Sequence, residues 1–102
     1  MQEYNVAFSE DADDDLDSIV LYLSGFSPEV ARRYYDDIMI KANSLALMPE
    51  RCPLVLYESL QQKGYRWMFV RNYTIFFTVH NDENAVVIRR ILYARREYTA
   101  LL

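Results

Sequence analysis

The chain first declares itself through where its apolar residues fall. Residues 4–8 alternate, with Tyr4, Val6 and Phe8 on one side, which predicts a short strand. Ser9 then suits a helix N-cap, and Glu10, Asp11 and Asp13 place negative charge in the first turn, where the helix dipole favours it. Ala12, Leu16, Ile19, Val20 and Leu23 recur at spacings of three and four, so one face of a helix reaching about Ser24 is apolar, with Gly25 as the stop. Ser27 and Pro28 supply a new cap and a proline at the first helical position. The second helix should run to about Met48, burying Ala31, Tyr34, Tyr35, Ile38, Ala42 and Leu45, until Pro49 and Pro53 force extended chain. Its outward face carries Arg32, Arg33, Asp36, Asp37 and Lys41.

From residue 54 the period changes to two. Residues 54–57 read as a short strand and residues 61–64 as a polar loop. Residues 65–70 and 73–80 read as strands joined at Arg71-Asn72, where asparagine tolerates positive φ. Residues 81–84 make a second hairpin loop, and residues 85–93 a long last strand. The sum is one α+β domain over residues 1–102: an N-terminal strand, an antiparallel two-helix hairpin and a three- to four-stranded, largely antiparallel twisted sheet.

At 102 residues, 52% hydrophobic and with two glycines, the chain can bury a core and is neither disordered nor low in complexity. A lone Cys52 forms no internal disulfide, no apolar run reaches the roughly 20 residues of a membrane span, and no basic segment precedes an apolar one at the start. A reduced, soluble, cytoplasmic protein with no membrane contact is expected. The net charge of −4 conceals a division: residues 1–31 carry eight acids and no Lys or Arg, while residues 32–102 carry all eleven basic residues against seven acids. Nine of those cations are arginine, the side chain suited to two-pronged contact with carboxylate or phosphate.

Catalytic and metal chemistry has little to work with. His80 is the only histidine and has no companion motif, so it reads as ordinary surface, and Cys52 reads as a small packing residue. Asp13-Asp14-Asp15 lacks the spacing of a calcium loop and two glycines cannot build a phosphate loop, so no metal and no cofactor is expected. What remains is arginine on a sheet. Strict alternation puts Arg66 with Met68 and Val70, Arg89 with Val87 and Ile91, and Arg90 with Val86, Ile88 and Leu92. Arg89 and Arg90 should therefore face opposite ways, one pairing with a helix carboxylate and the other joining Arg66 on the open face. Arg95 and Arg96 follow the strand and can reach the same groove. An arginine-lined concave face implies an anionic counterpart; isolated surface ion pairs are the alternative. Tyr93 and Tyr98 flank these arginines, either stacking on bases and donating protons or packing the last segment of the chain.

Several segments together are similar to the RelE/ParE family of type II toxin–antitoxin toxins. They are Tyr4-x-Val6-x-Phe8-Ser9, Ala12 followed by Asp15-Leu16 and Ile19, Leu45-x3-Pro49, Gly64-Tyr65-Arg66, Val70-Arg71-Asn72-Tyr73-x-Ile75-Phe76-Phe77-x-Val79 and Ile88-x2-Ile91-Leu92-Tyr93-Ala94-Arg95-Arg96-Glu97. The resemblance implies the compact fold above and a cognate antitoxin that wraps the toxin, meeting Arg66, Arg89, Arg90, Arg95 and Arg96. It also implies bacterial growth inhibition and a role such as plasmid stabilization. The strand from Asn72 and the ending Leu-Tyr-Ala-Arg-Arg-Glu resemble the ParE branch, whose members poison DNA gyrase by binding it and are not enzymes. The RelE-like alternative is a ribosome-dependent messenger RNA endonuclease, for which Arg66 and Arg96 match two arginines of the catalytic set and Tyr93 or Tyr98 would assist. The lysine pair of that branch falls on Tyr57 and Ser59, and its late tyrosine on Leu102. A third possibility is an inactive member that only binds its antitoxin.

Overall fold

The computed structural model describes residues 2–102 and holds four strands in the order β1-β4-β3-β2. β1 (Asn5–Phe8) runs parallel to β4 (Ala85–Tyr93), while β2 (Arg66–Val70), β3 (Tyr73–His80) and β4 pair antiparallel. Helices α1 (Glu10–Ser24) and α2 (Pro28–Asn43) form the expected hairpin. Both begin as the caps require: Ser9 Oγ accepts from the Ala12 amide and Ser27 Oγ from the Val30 amide. Gly25 closes α1 at an ordinary right-handed φ of −66°, so its role there is not conformational freedom.

The hairpin buries one face of the sheet. Ala12, Leu16 and Ile19 of α1 and Ile38 and Ala42 of α2 meet Ile75, Phe77, Val86, Ile88 and Ile91, with Val70 and Tyr73 at the margin. Tyr35, expected on the buried face of α2, is 42% exposed. The second helix also ends sooner than its apolar spacing predicts. It stops at Asn43, a 3₁₀ turn carries Ser44–Ala46, and Met48 adopts a left-handed φ of 49°. That break turns the chain so that Leu47 can bridge Glu3 and the Tyr4 amide can donate to the Ala46 carbonyl. Arg51 then gathers the exposed carbonyls of this break, Nη1 donating to Leu47 at 2.6 Å and Met48 at 3.1 Å.

Residues 54–57 form no strand; only Leu54 bridges Arg66. The polar loop expected at 61–64 is partly a short helix, α3 (Glu58–Gln62), ended by Gly64 at φ +82°. This segment seals one end of the sheet's second face: Val55 and Leu60 pack with Phe76 and Leu92, and Tyr98, Leu101 and Leu102 join from the chain beyond β4. In the β2–β3 turn, positive φ falls on Arg71 (53°) rather than Asn72. Arg71 is compensated there, since its Nε donates to Asp37 Oδ2 at 2.7 Å and its guanidinium lies 4.6 Å from the Tyr34 ring centre.

Candidate functional site

The arginines do not form one cluster. In an antiparallel ladder, directly opposed residues share a face. Arg66 opposes Phe77, which belongs to the core under the helices, so Arg66 lies on the helix side with Met68 and Val70. There its Nη1 donates to the Cys52 carbonyl at 2.6 Å, and its Nη2 stands 3.8 Å from Glu50. It pins the 49–53 segment to the sheet edge and does not join the other arginines on the opposite face, as the alternation had suggested.

A one-residue irregularity in β4 decides the next pair. Phe76 opposes Arg90 but Phe77 opposes Ile88, so Arg89 is the extra residue of a bulge. The bulge resets the alternation. Ile88 and Ile91, three apart, both reach the core beneath the helices, whereas Arg90 opposes Phe76 of the second cluster. Arg89 reaches Thr78, which has the same parity as Phe76, so Arg89 and Arg90 emerge on the same side instead of opposite ones.

Their surroundings then separate them. β1 ends its pairing at Ile88, which leaves the edge of β4 beyond it to α1. Asp15 fills that edge: its Oδ2 accepts from the Ile91 amide at 2.9 Å and from Arg90 Nε at 2.7 Å, and its Oδ1 accepts from Arg90 Nη2 at 2.9 Å. The paired helix carboxylate was expected, and Arg90 is the arginine that takes it. Hydrogen bonding to Asp15 pushes the Arg90 guanidinium further above its already high range. Arg90 Nη1 also donates to the Leu101 carbonyl at 3.0 Å, tying the last residues to the sheet. Arg89 meets no carboxylate among the described residues. Its Nε donates to Thr78 Oγ1 at 3.1 Å, and Thr78 Oγ1 lies 2.9 Å from His80 Nε2.

Arg95 and Arg96 are exposed after β4, and Arg96 lines a groove of about 220 Å³ on the second face. The other walls are Leu56, Trp67, Phe69, Phe76, Tyr93 and Tyr98, with Thr74 and Ala94. Trp67 and Phe69 meet edge to face at 4.7 Å between ring centres, and Tyr98 lies 5.0 Å from Phe76. This groove is apolar with a single guanidinium at its rim, in place of the arginine-lined surface that strand alternation suggested. Leu56, Trp67 and Phe69 were absent from the candidate residues. Their signal in the sequence is Trp67 and Phe69 two apart on an edge strand, facing away from the Met68 and Val70 side. Cys52 is buried, and that burial pushes its thiol up despite Arg51, Arg66 and Lys41 nearby, which suits a packing role rather than a nucleophile. Among the described residues no helix is long and apolar enough to cross a membrane.

Comparison with known proteins places this geometry. The chromosomal ParDE toxin–antitoxin system from P. aeruginosa superposes with a TM-score of 0.73 at 21% identity, covering 91% of this chain and 98% of that one. The toxin–antitoxin complex RelBE2 from Mycobacterium tuberculosis superposes with a TM-score of 0.67 at 21% identity, covering 91% and 93%. At such identity these likenesses establish the shared fold. Among curated proteins, no sequence matches this chain. The family profile described as the ParE toxin of the type II toxin–antitoxin system parDE matches residues 6–98, and with nearly the whole length so matched the chain belongs to the ParE toxin family.

Proposed function

We propose that this protein, acting as a single domain over residues 1–102, inhibits bacterial growth by binding DNA gyrase and is neutralised by a cognate antitoxin. The observation that carries the reading is the apolar, aromatic groove with Arg96 alone at its rim. Such a surface suits a protein segment with an apolar anchor and one acid. A ribonuclease would want several cations around one phosphate, and Arg66 and Arg96 stand on different faces of the sheet. A supercoiling assay with purified protein tests the reading: inhibition at modest excess over gyrase is expected, and full supercoiling at large excess of folded protein counts against it.

The ribonuclease reading keeps one observation, the placement of Arg96 and Tyr98 in a single groove. Primer extension on translated messages separates the two, since discrete cuts in the ribosomal A site that vanish in Arg96→Ala support the enzyme. Growth that continues when the chain is expressed without its antitoxin supports an inactive binding module instead.

A further inference from the structure

Thr78, His80 and Arg89 stand together on the face of the sheet opposite the helices, outside the aromatic groove. Arg89 Nε donates to Thr78 Oγ1 at 3.1 Å, Thr78 Oγ1 lies 2.9 Å from His80 Nε2, and Arg89 Nη2 lies 3.5 Å from that same nitrogen. With Thr78 accepting from Arg89, its own hydroxyl proton is free to donate to His80 Nε2, so neutral His80 carries its proton on Nδ1. Thr78 is only 5% exposed, whereas Arg89 and His80 are half-buried and reach solvent. The threonine is thus a fixed post that orients two solvent-reaching nitrogen groups.

The cluster has donors and, among the described residues, no anion. The other charged groups nearby do not answer it: Asp82 and Glu83 in the adjoining loop pair with neither Arg89 nor His80, Arg66 on β2 is committed to Cys52 and Glu50 on the other face, and Arg90 is committed to Asp15. Tyr4, beside β4, gives its hydroxyl to the Asn81 side chain. Arg89 engages Nε and one N–H of Nη2, and its remaining Nη hydrogens meet no partner among the described residues; a guanidinium so placed beside an imidazole is suited to a planar carboxylate, which takes two parallel N–H donors.

We propose that Thr78, His80 and Arg89 form a carboxylate-binding site, filled by an aspartate or glutamate side chain of a partner protein. The inference rests on the reading above that the partners are proteins. A single carboxylate fits better than a polyphosphate chain because α1, packed along the edge of β4, exposes Asp11, Asp13, Asp14 and Asp17, whose field repels an extended polyanion more than one acid.

Because the chain has one histidine, its imidazole resonances identify themselves in an NMR spectrum. The isotope-labelled protein is titrated with sodium acetate against sodium chloride at equal ionic strength, and separately with inorganic phosphate. Acetate is expected to move the His80 ring signals saturably. Arg89→Gln should weaken that binding about tenfold or more while core methyl signals stay in place. No acetate response beyond that of chloride overturns the site, and a response to phosphate without one to acetate overturns the protein carboxylate in favour of a nucleic-acid phosphate. Antitoxin binding provides the second readout. If wild-type protein binds the cognate antitoxin and Arg89→Gln binds it equally well, the inference fails while the family reading stands. If wild-type protein binds no antitoxin, the partner reading itself fails.

Discussion

The two faces of this sheet are built by different means. Under the helical hairpin, Ile75, Phe77, Val86 and Ile88 are wholly sealed by two helices with caps and regular apolar stripes. On the other face Phe76 and Leu92 are covered by a five-residue helix and an irregular segment after β4, while Phe69 stays 55% exposed. Complete cover makes the first face a foundation. Partial cover leaves the second with a groove and unpaired polar groups, which is where recognition can occur. The arginines divide by partner and not by face, since Arg66 under the helices and Arg90 on the second face are consumed in holding elements together, while Arg89, Arg95 and Arg96 remain available.

Truncation on each face sharpens the contrast. Phe77→Ala, on the sealed side, should destabilise the fold by about 3–5 kcal/mol in chemical denaturation. Phe69→Ala should lose only about 0.5–1 kcal/mol, mostly its edge-to-face contact with Trp67. Equal losses would mean that the second face is as much a structural core as the first. Next in size is Asp15→Asn, which leaves Arg90 without its carboxylate where the two side chains are 15% and 18% exposed. About 2–3 kcal/mol of destabilisation is expected, with faster proteolysis of residues 94–102 because Arg90 also holds Leu101. Arg96→Glu should leave stability within about 0.5 kcal/mol of wild type, because among the described residues Arg96 supports no other side chain through an ion pair. Antitoxin affinity should fall about tenfold or more, with toxicity falling alongside; loss of toxicity at unchanged antitoxin affinity would show two separate surfaces.

The smallest effect concerns acid. Glu97 accepts from the Thr99 amide at 2.9 Å and from its hydroxyl at 2.7 Å, and these bonds hold its carboxyl below the usual range. A lowered pKa contributes order that is complete above the ordinary glutamate value of about 4.3 and is lost as the pH falls through the lower folded value. The Thr99 amide signal should therefore shift at a lower pH than a free glutamate would titrate. A shift centred at or above the ordinary value would show that this turn is not formed in solution.

Much of the foundation was legible because its signals are short-range. Ser9 and Ser27 cap where their side chains sit next to the helix they start, and the stripe from Ala12 to Leu23 is a property of one helix alone. Where the chain must satisfy a distant partner, local reading failed. Helix α2 gave up its last turn so that Leu47 could meet Glu3, and Arg71 took the left-handed position because Asp37 and Tyr34 hold it there. The strands β2, β3 and β4 and their hairpin loops were visible, but the segment at 54–62 was not, since its apolar residues pack singly against the sheet without a period.

The sequence by itself determined the order of β1, α1, α2 and the three strands β2, β3 and β4, the caps, the acidic first helix and the excess of arginine late in the chain, all written in neighbouring residues. It also carried the family likeness. Only the tertiary structure decided which way each arginine points. Period-two reasoning assumes that every residue of a strand has a partner, and one unpaired residue opposite the Phe76–Phe77 step shifted everything after Arg89 to the other side. That insertion exists only in the pairing of β4 with β3, so no inspection of β4 alone reveals it.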